Sequence, residues 1–180
     1  RYGRVLVSNT SCNNLVFNPD DLFEQDDPNG ILLRLIDYCN SLGVPYTDTT
    51  PISGTAPFTY PEKMTDTQAS RLESYKEHFE LDEKISAPDL MKWFRDHYSI
   101  PESYTDEQAR LAAGVRYELE LRSLFGLAEY IFAADVDIDL ISRIGEQDLS
   151  GVSIRKSSTR EYNTEYAAHI LGYIGPMDGE

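Results

Sequence analysis

The chain has 180 residues, of which 41% are hydrophobic, and it carries a formal net charge of -15 at pH 7. The hydrophobic fraction is large enough for a folded core, and the length suits one domain or one domain with an inserted lobe. The negative charge opposes binding to nucleic acid or to an anionic membrane surface, because either would repel the chain.

Two further features limit the class of protein. Cys12 and Cys39 lie far apart and outside any CxxC pattern, so the sequence indicates neither a disulfide framework nor a thiolate metal site. No apolar run approaches the roughly 20 residues that a membrane-spanning helix needs. The segment itself is therefore expected to fold as a soluble domain.

The N-terminal third predicts a strand, an acidic loop, a helix and a connector. Residues 1–9 describe a charged turn that leads into a strand, and residues 18–30 are rich in loop-forming residues. Apolar residues then recur at helical spacing, and Gly43 supplies a C-terminal stop; they are Ile31, Leu32, Leu35, Ile36, Cys39 and Leu42. Residues 44–61 predict an extended connector.

Three more helices are predicted from their capping residues. Thr65 and Thr105 each begin a segment with the pattern of an N-terminal cap, and Ser86 does so with Pro88 two residues later. The helix after Thr105 is expected to end near Gly114. The aromatic pair Trp93 and Phe94 at helical spacing is typical of a core far more often than of a ligand platform.

Strand signals follow the third of these helices. Apolar residues at 115, 117, 119 and 121 alternate with charged residues, which predicts a half-buried strand with a charged outer face. A second strand is predicted over 129–134, and a helix over 138–146. The fold class is therefore α+β, with helices packed against a small mixed or antiparallel sheet.

Two short patterns resemble catalytic motifs. Ser153-Ile154-Arg155-Lys156 fits the Ser-x-x-Lys motif of penicillin-binding enzymes, and Ser11-Cys12-Asn13 fits its Ser-x-Asn partner. In a strand, however, alternation would point Ser153 and Lys156 to opposite faces, and no Lys-Thr-Gly motif occurs. We therefore assign no catalytic residue.

Metal binding has equally weak support in the sequence. Asp135, Asp137 and Asp139 with Glu146 have the spacing of a calcium-binding EF-hand loop, but Leu140 occupies the position that requires glycine. Acidic residues at a helix N-terminus explain the pattern better. The three histidines, His78, His97 and His169, show no paired-ligand spacing, and no Gly-rich phosphate loop occurs. No metal or cofactor is predicted.

The C-terminal segment is the part around which we expect the fold to be organised. Arg160 follows a β-prone run that starts at Gly151, and the apolar stretch 167–175 contains Gly172 and Gly175, where backbones could approach closely. The guanidinium of Arg160 offers five donors in a rigid fork. We expect it to tie the opening and closing strands to a buried carboxylate, with Glu146 as its partner, and His169 to be a neutral core residue.

These residues carry a resemblance to a known family. The chain resembles the pedestal, or dimerisation, domain of class B penicillin-binding proteins, the bacterial peptidoglycan transpeptidases. The matching positions are Arg1, Gly3, Glu146, Gly151, Arg160, Tyr162, His169, Gly172 and Gly175. Residues 116–119 are similar to the head of the same domain. Asn163 stands where the family usually has proline.

The resemblance implies a domain organisation and a location. Residues 1–180 are expected to form one pedestal domain, with an anchor made of residues 1–20 and 149–180 and a helical head lobe, residues 21–148, inserted between the two anchor segments. A membrane helix is expected before this segment and a penicillin-binding transpeptidase domain after it. The implied location is the extracytoplasmic face of the cell membrane, with membrane contact only through that helix.

The resemblance also implies a function. The segment would be non-catalytic and would position the transpeptidase domain during cell-wall synthesis, in proteins that serve cell shape or division. Its expected partners are cell-wall scaffold proteins and the multi-pass glycan polymerase, with self-association as a further possibility. Two alternatives from other classes are a free-standing acidic adaptor domain and a carboxylate or calcium enzyme built on Asp135, Asp137 and Glu146.

Overall fold

The computed structural model describes residues 7–147 and 149–162, and the side chains of residues 8–147 and 149–159. Its elements confirm the α+β class. In chain order they are β1 (Val7–Phe17), α1 (Pro19–Phe23), α2 (Pro28–Leu42), α3 (Asp66–His78), α4 (Ala87–His97), α5 (Asp106–Phe125), β2 (Ile131–Ala133), α6 (Ile138–Glu146) and β3 (Val152–Tyr162).

The strands form one antiparallel sheet in the order β2-β1-β3 within the described residues. Strand β1 pairs with β3 along its whole length, from Val7 opposite Tyr162 to Phe17 opposite Val152. The short strand β2 pairs only with the inner end of β1, where Leu15 lies opposite Ala133. Eleven consecutive residue pairs therefore form a two-stranded ribbon, and β2 widens the sheet only where the helices begin.

The helices enclose two hydrophobic cores. The first core lies between the sheet, α2, α6 and one side of α5, and includes Leu15, Leu35, Phe132 and Leu140. The second core lies between α3, α4 and the other side of α5, and its aromatic centre consists of Tyr75, Phe94 and Tyr117. The interpretation of Phe94 as a core residue is confirmed, because its side chain is fully buried.

Helix α5 contradicts the prediction of a strand at residues 115–122. It runs without interruption from Asp106 to Phe125 and ends at Gly126, which adopts a left-handed conformation. Residues 115 and 119 pack in the first core, while 113, 117 and 121 pack in the second core. Each set has the i, i+4 spacing of one helix face. Because the two sets are offset by two residues, together they place an apolar residue at every second position, which resembles the pattern of a strand.

The prediction that the charged residues of that segment all face solvent is also wrong in part. Glu118 is 1% exposed and forms an i, i+4 ion pair with Arg122, with 3.1 Å between Oε2 and Nη2. Burial raises the pKa of the Glu118 carboxyl, and the neighbouring positive charge of Arg122 opposes that rise. A half-buried strand would have left this carboxylate in water, whereas a helix between two cores does not.

Helix boundaries elsewhere follow the capping residues. The predicted starts after Thr65, Ser86 and Thr105 are confirmed, and both threonines form complete capping boxes.

The predicted acidic loop over 18–30 is wrong in two places. It contains the short helix α1, and α2 begins at Pro28 because the side chain of Asp27 accepts a hydrogen bond from the Gly30 amide at 2.8 Å.

Candidate functional site

The paired strands β1 and β3 fix where the chain enters and leaves the described fold. Val7 and Tyr162 are opposite each other at one end of the ribbon, and Phe17 and Val152 are opposite each other at the other end. Eleven residues at about 3.3 Å each give a ribbon roughly 35 Å long. The helices attach at one end of this ribbon, and the chain enters and leaves the described residues at the other end.

Gly151 forms the junction between the ribbon and the helices. It is buried, it has a φ of 85°, and its carbonyl accepts a hydrogen bond from the Asn18 amide at 2.8 Å. A Cβ atom at this position would lie 2.5 Å from the Cα of Leu22 in α1. A side chain is therefore excluded twice, by the left-handed backbone and by the contact with Leu22.

The other predicted structural residues are placed only in part. Glu146 ends α6 and is exposed, so the burial expected of it is not observed. The backbones of Arg160 and Tyr162 belong to β3, opposite Asn9 and Val7, while their side chains lie outside the described residues. The tie between Arg160 and Glu146 therefore stays a prediction. Arg1, Gly3, His169, Gly172 and Gly175 also lie outside the described residues.

The two motif-like serine patterns both lie in the ribbon. Ser153 is in β3 opposite Val16, and Ser11 is in β1 opposite Ser158. Ser11 is five residues from Val16 along the same strand, which separates the two serines by roughly 17 Å. A transpeptidase nucleophile requires its partners within hydrogen-bond reach, so these serines do not form a catalytic arrangement.

The acidic segment 135–146 forms a helix and its cap. The side chain of Asp137 accepts a hydrogen bond from the Leu140 amide at 3.1 Å, and α6 continues to Glu146. This arrangement contradicts the calcium-loop interpretation, because an EF-hand loop would not be helical here. Among the described residues, no three His, Cys, Asp or Glu side chains come together in a geometry that could hold a metal ion.

The predicted connector, residues 44–61, is confirmed as lacking helix and strand, and it packs closely on α5. Arg110 donates from Nη2 to the Ile52 carbonyl at 2.8 Å and forms an ion pair with Asp48. The Thr47 amide donates to the Phe132 carbonyl at 2.7 Å. The connector therefore joins α5 to the sheet through polar contacts that its composition does not indicate.

A second polar arrangement lies at the surface of the second core. Oε2 of Glu120 accepts hydrogen bonds from the hydroxyls of Tyr75 and Tyr98, and His97 Nε2 lies 3.0 Å from Oε1. The His97 ring stacks on Trp93 with centroids 4.3 Å apart. Burial is the main cause of the raised pKa values of Tyr75 and Tyr98, so both hydroxyls are neutral donors at physiological pH.

Arg116 lies one turn before Glu120 on α5. Its guanidinium carbon is 4.1 Å from the centroid of the Phe23 ring and 5.2 Å from that of Tyr98. Both contacts are cation–π interactions, and they hold the guanidinium beside a surface cavity. Sequence reasoning missed this position, because the strand assignment placed Arg116 on a solvent face. A helical interpretation would have put Arg116 and Glu120 on one face.

Within the described part of the chain, none of the helices is both long and apolar enough to cross a membrane.

Comparison with known proteins places the whole chain in one family of domains. The family model of the Penicillin-binding Protein dimerisation domain matches residues 1–180. That family is the dimerisation domain and not the catalytic domain of penicillin-binding proteins. None of the curated proteins matches the chain.

The solved structures that are similar to it include two of penicillin-binding protein 2B from Streptococcus pneumoniae. For strain 5204 the sequence identity is 16%, the TM-score is 0.38, and the match covers 95% of this chain and 26% of that one. For strain R6 the identity is 16%, the TM-score is 0.35, and the coverage is 95% and 25%. The chain spans about a quarter of the length of these proteins.

Proposed function

We propose, because this chain belongs to the penicillin-binding protein dimerisation domain family, that it is the non-catalytic pedestal of a membrane-anchored class B penicillin-binding protein. In this role it acts in bacterial peptidoglycan synthesis on the extracytoplasmic face of the cell membrane. The pedestal holds a serine transpeptidase domain at a set distance and orientation. Its partners are cell-wall scaffold proteins and a multi-pass glycan polymerase.

The observation that carries this proposal is the register of the ribbon. Because Val7 lies opposite Tyr162, the chain enters and leaves the described fold side by side, at the ribbon end away from the helices. A paired two-stranded ribbon transmits an orientation better than a single strand, since each residue pair restrains its neighbours through backbone hydrogen bonds. Such a ribbon suits a spacer between an anchor and a second domain.

A second observation supports the non-catalytic role. The Ser153 side chain belongs to a regular antiparallel strand, and the nearest motif-like serine on β1 is roughly 17 Å away along the ribbon. We expect the chain to form no covalent adduct with a β-lactam. Intact-mass spectrometry after incubation with penicillin tests this, and an adduct on Ser153 would contradict the proposal.

The spacer role is tested by shortening the ribbon in the full-length protein. Thr10 lies opposite Thr159 and Ser11 lies opposite Ser158, and all four residues are exposed. Deleting both pairs shortens each strand by two residues, or about 7 Å, and keeps every remaining side chain on its original face. The control replaces each of the four by the other hydroxyl residue, serine for threonine and threonine for serine, at constant length.

We expect the shortened protein to acylate with a labelled β-lactam as the parent does but to fail to support growth when it replaces the parent in cells. The length-matched control should support growth. Cooperative unfolding at the parent temperature shows that the shortened domain remains folded. Full growth with the shortened protein would overturn the spacer role, and loss of acylation would show that the ribbon serves the catalytic domain directly.

A further inference from the structure

A cavity of about 300 Å³ lies where α5, the start of α2 and the segment after α4 meet. This volume is at the lower end of the range for small-molecule sites, roughly 300 to 1,000 Å³. Its apolar walls come from the rings of Phe23, Pro28, Tyr98 and Pro101. Its polar lining residues are Arg116, Asp26, Asp27, Asn29 and Ser99.

Arg116 supplies the positive charge of the cavity. Its guanidinium rests against the Phe23 and Tyr98 rings, and no described residue forms a hydrogen bond or an ion pair with it. The fork of five donors is therefore fixed in place by apolar contacts with its hydrogen-bonding capacity unused by its described neighbours. A planar acceptor such as a carboxylate matches this fork through two parallel hydrogen bonds.

Asn29 fixes one wall of the cavity. The residue is 4% exposed, and its Nδ2 donates to the carbonyls of Tyr98 and Ser99 at 3.1 and 3.3 Å. These two bonds fix the amide orientation and leave Oδ1 buried without a partner among the described residues. Because that oxygen has almost no exposed surface, a ligand in the cavity does not reach it, and the role of Asn29 is to hold the segment after α4 against the start of α2.

Asp26 and Asp27 supply negative charge to the same cavity. Both are exposed at the turn before α2, and Asp27 also caps that helix through the Gly30 amide. The cavity therefore combines one guanidinium with two carboxylates, within apolar walls. A simple anion would be repelled by the two aspartates, and a simple cation by Arg116. A ligand that carries both charges satisfies each group.

We propose that this cavity binds a small zwitterionic peptide of the dipeptide class. The ligand carboxylate pairs with the Arg116 guanidinium, and the ligand ammonium lies near the carboxylates of Asp26 and Asp27. The proposal does not depend on the pedestal role, since it concerns a different face of the molecule from the ribbon end.

The experiment titrates the 180-residue chain with L-alanyl-L-alanine and follows side-chain and amide signals by NMR. The expected result is a saturable shift of the Phe23, Tyr98 and Arg116 signals at millimolar peptide. N-acetylation or C-terminal amidation of the peptide should weaken binding at least about tenfold, because each removes one charge. Equal binding of the three peptides would overturn the proposal.

Variants separate the site from general charge effects. Arg116→Gln should weaken binding of the parent peptide at least about tenfold, and Asp26→Asn, at an exposed position, should weaken it several-fold. Arg143→Gln is the matched control, because Arg143 is exposed on α6 outside the cavity. An unchanged amide spectrum shows that each variant is folded. No saturable shift with the parent chain up to about 10 mM peptide, or unchanged binding to Arg116→Gln, would show that the cavity is not a peptide site.

Discussion

The hydroxyl of Tyr75 donates a 2.5 Å hydrogen bond to Oε2 of Glu120, which is 45 residues away in sequence. The same oxygen accepts from Tyr98 at 2.8 Å, and the two hydroxyls lie 2.7 Å apart. One carboxylate on α5 therefore joins α3 and α4. Because both tyrosines are buried, their hydrogen bonds to the Glu120 carboxylate are part of the packing of the second core.

Glu120→Ala should destabilise the chain by about 1 to 3 kcal/mol. The substitution leaves a buried tyrosine hydroxyl without its acceptor, and an unmade buried hydrogen bond costs about that much. Glu102→Ala is the matched control, because Glu102 is exposed before α5 and should change the free energy of unfolding by less than about 0.5 kcal/mol. Urea unfolding of the two variants measures both values, and equal stabilities would show that the cluster contributes nothing.

Stability should fall at alkaline pH because of the buried tyrosines. Desolvation raises the pKa of Tyr75, Tyr98, Tyr117 and Tyr130 above the ordinary value of 10.0. A folded-state pKa above the unfolded one means that the stability contributed by these hydroxyls is complete below pH 10 and is lost as the pH rises beyond it. We expect the urea midpoint to be unaffected by tyrosine ionisation at pH 8 to 9 and to decrease steeply above about pH 10.

Salt distinguishes this cause from general charge repulsion. The net charge of -15 also destabilises the fold as the pH rises, but exposed charges are largely screened at about 1 M salt. The loss caused by buried tyrosines should persist at high salt, and Tyr98→Phe should make it smaller. If the loss of stability at alkaline pH disappears at high salt, surface charge repulsion is its cause instead.

Gly114 allows the connector to approach α5. A Cβ atom there would lie 2.4 Å from Oγ1 of Thr50, which is 8% exposed and donates to Asp48 at 2.7 Å. Gly114→Ala should therefore destabilise by about 1 to 2 kcal/mol, since overpacking outweighs the gain of about 1 kcal/mol in helix propensity. Thr50→Ala in the same chain should reduce this cost, because it removes the clashing oxygen.

Gly145 provides the matched control for that substitution. It also lies in a helix, α6, but an added Cβ would meet nothing within 4 Å. Gly145→Ala should leave the chain unchanged or stabilise it by up to about 1 kcal/mol. Thermal unfolding of both variants decides the matter, and a stabilising Gly114→Ala would show that the connector does not pack on α5.

The sequence predicted the features that depend on local chemistry. Helix starts after Thr65, Ser86 and Thr105 are set by side chains that bond amides three residues away, so a short window contains the whole signal. The class and the family could be predicted as well. In contrast, the strand predicted at 115–122 failed because a helix packed on both sides has no single apolar face for a periodicity to detect.

The polar clusters could not be predicted, since they join residues that are distant in sequence. Glu120 meets Tyr75 and Tyr98 only after α3, α4 and α5 have packed, and Arg110 meets the Ile52 carbonyl across 58 residues. The cavity beside Arg116 likewise needs the turn before α2 and the segment after α4 in place. Nothing in the local sequence of any one of these elements indicates the other members.

The last prediction concerns the junction between ribbon and helices, where Gly151 contacts α1. Gly151→Ala places a Cβ 2.5 Å from the Cα and 2.6 Å from the amide nitrogen of Leu22, and it requires an alanine at a φ of 85°. Neither Leu22 atom belongs to a flexible side chain, so relief requires movement of α1 or of the ribbon. We expect a loss of about 3 kcal/mol or more in the free energy of unfolding.

Gly126→Ala isolates the backbone part of this cost. Gly126 has a φ of 59°, and an added Cβ would meet nothing within 4 Å, so only the left-handed conformation is penalised, by about 1 to 2 kcal/mol. The excess cost of Gly151→Ala over Gly126→Ala measures the contact with Leu22. Urea unfolding should show an excess of at least about 1 kcal/mol, because a steric clash with backbone adds to the conformational penalty. If the two variants lose the same stability, Gly151 serves only the turn, and the position of the ribbon relative to the helices is set by other contacts.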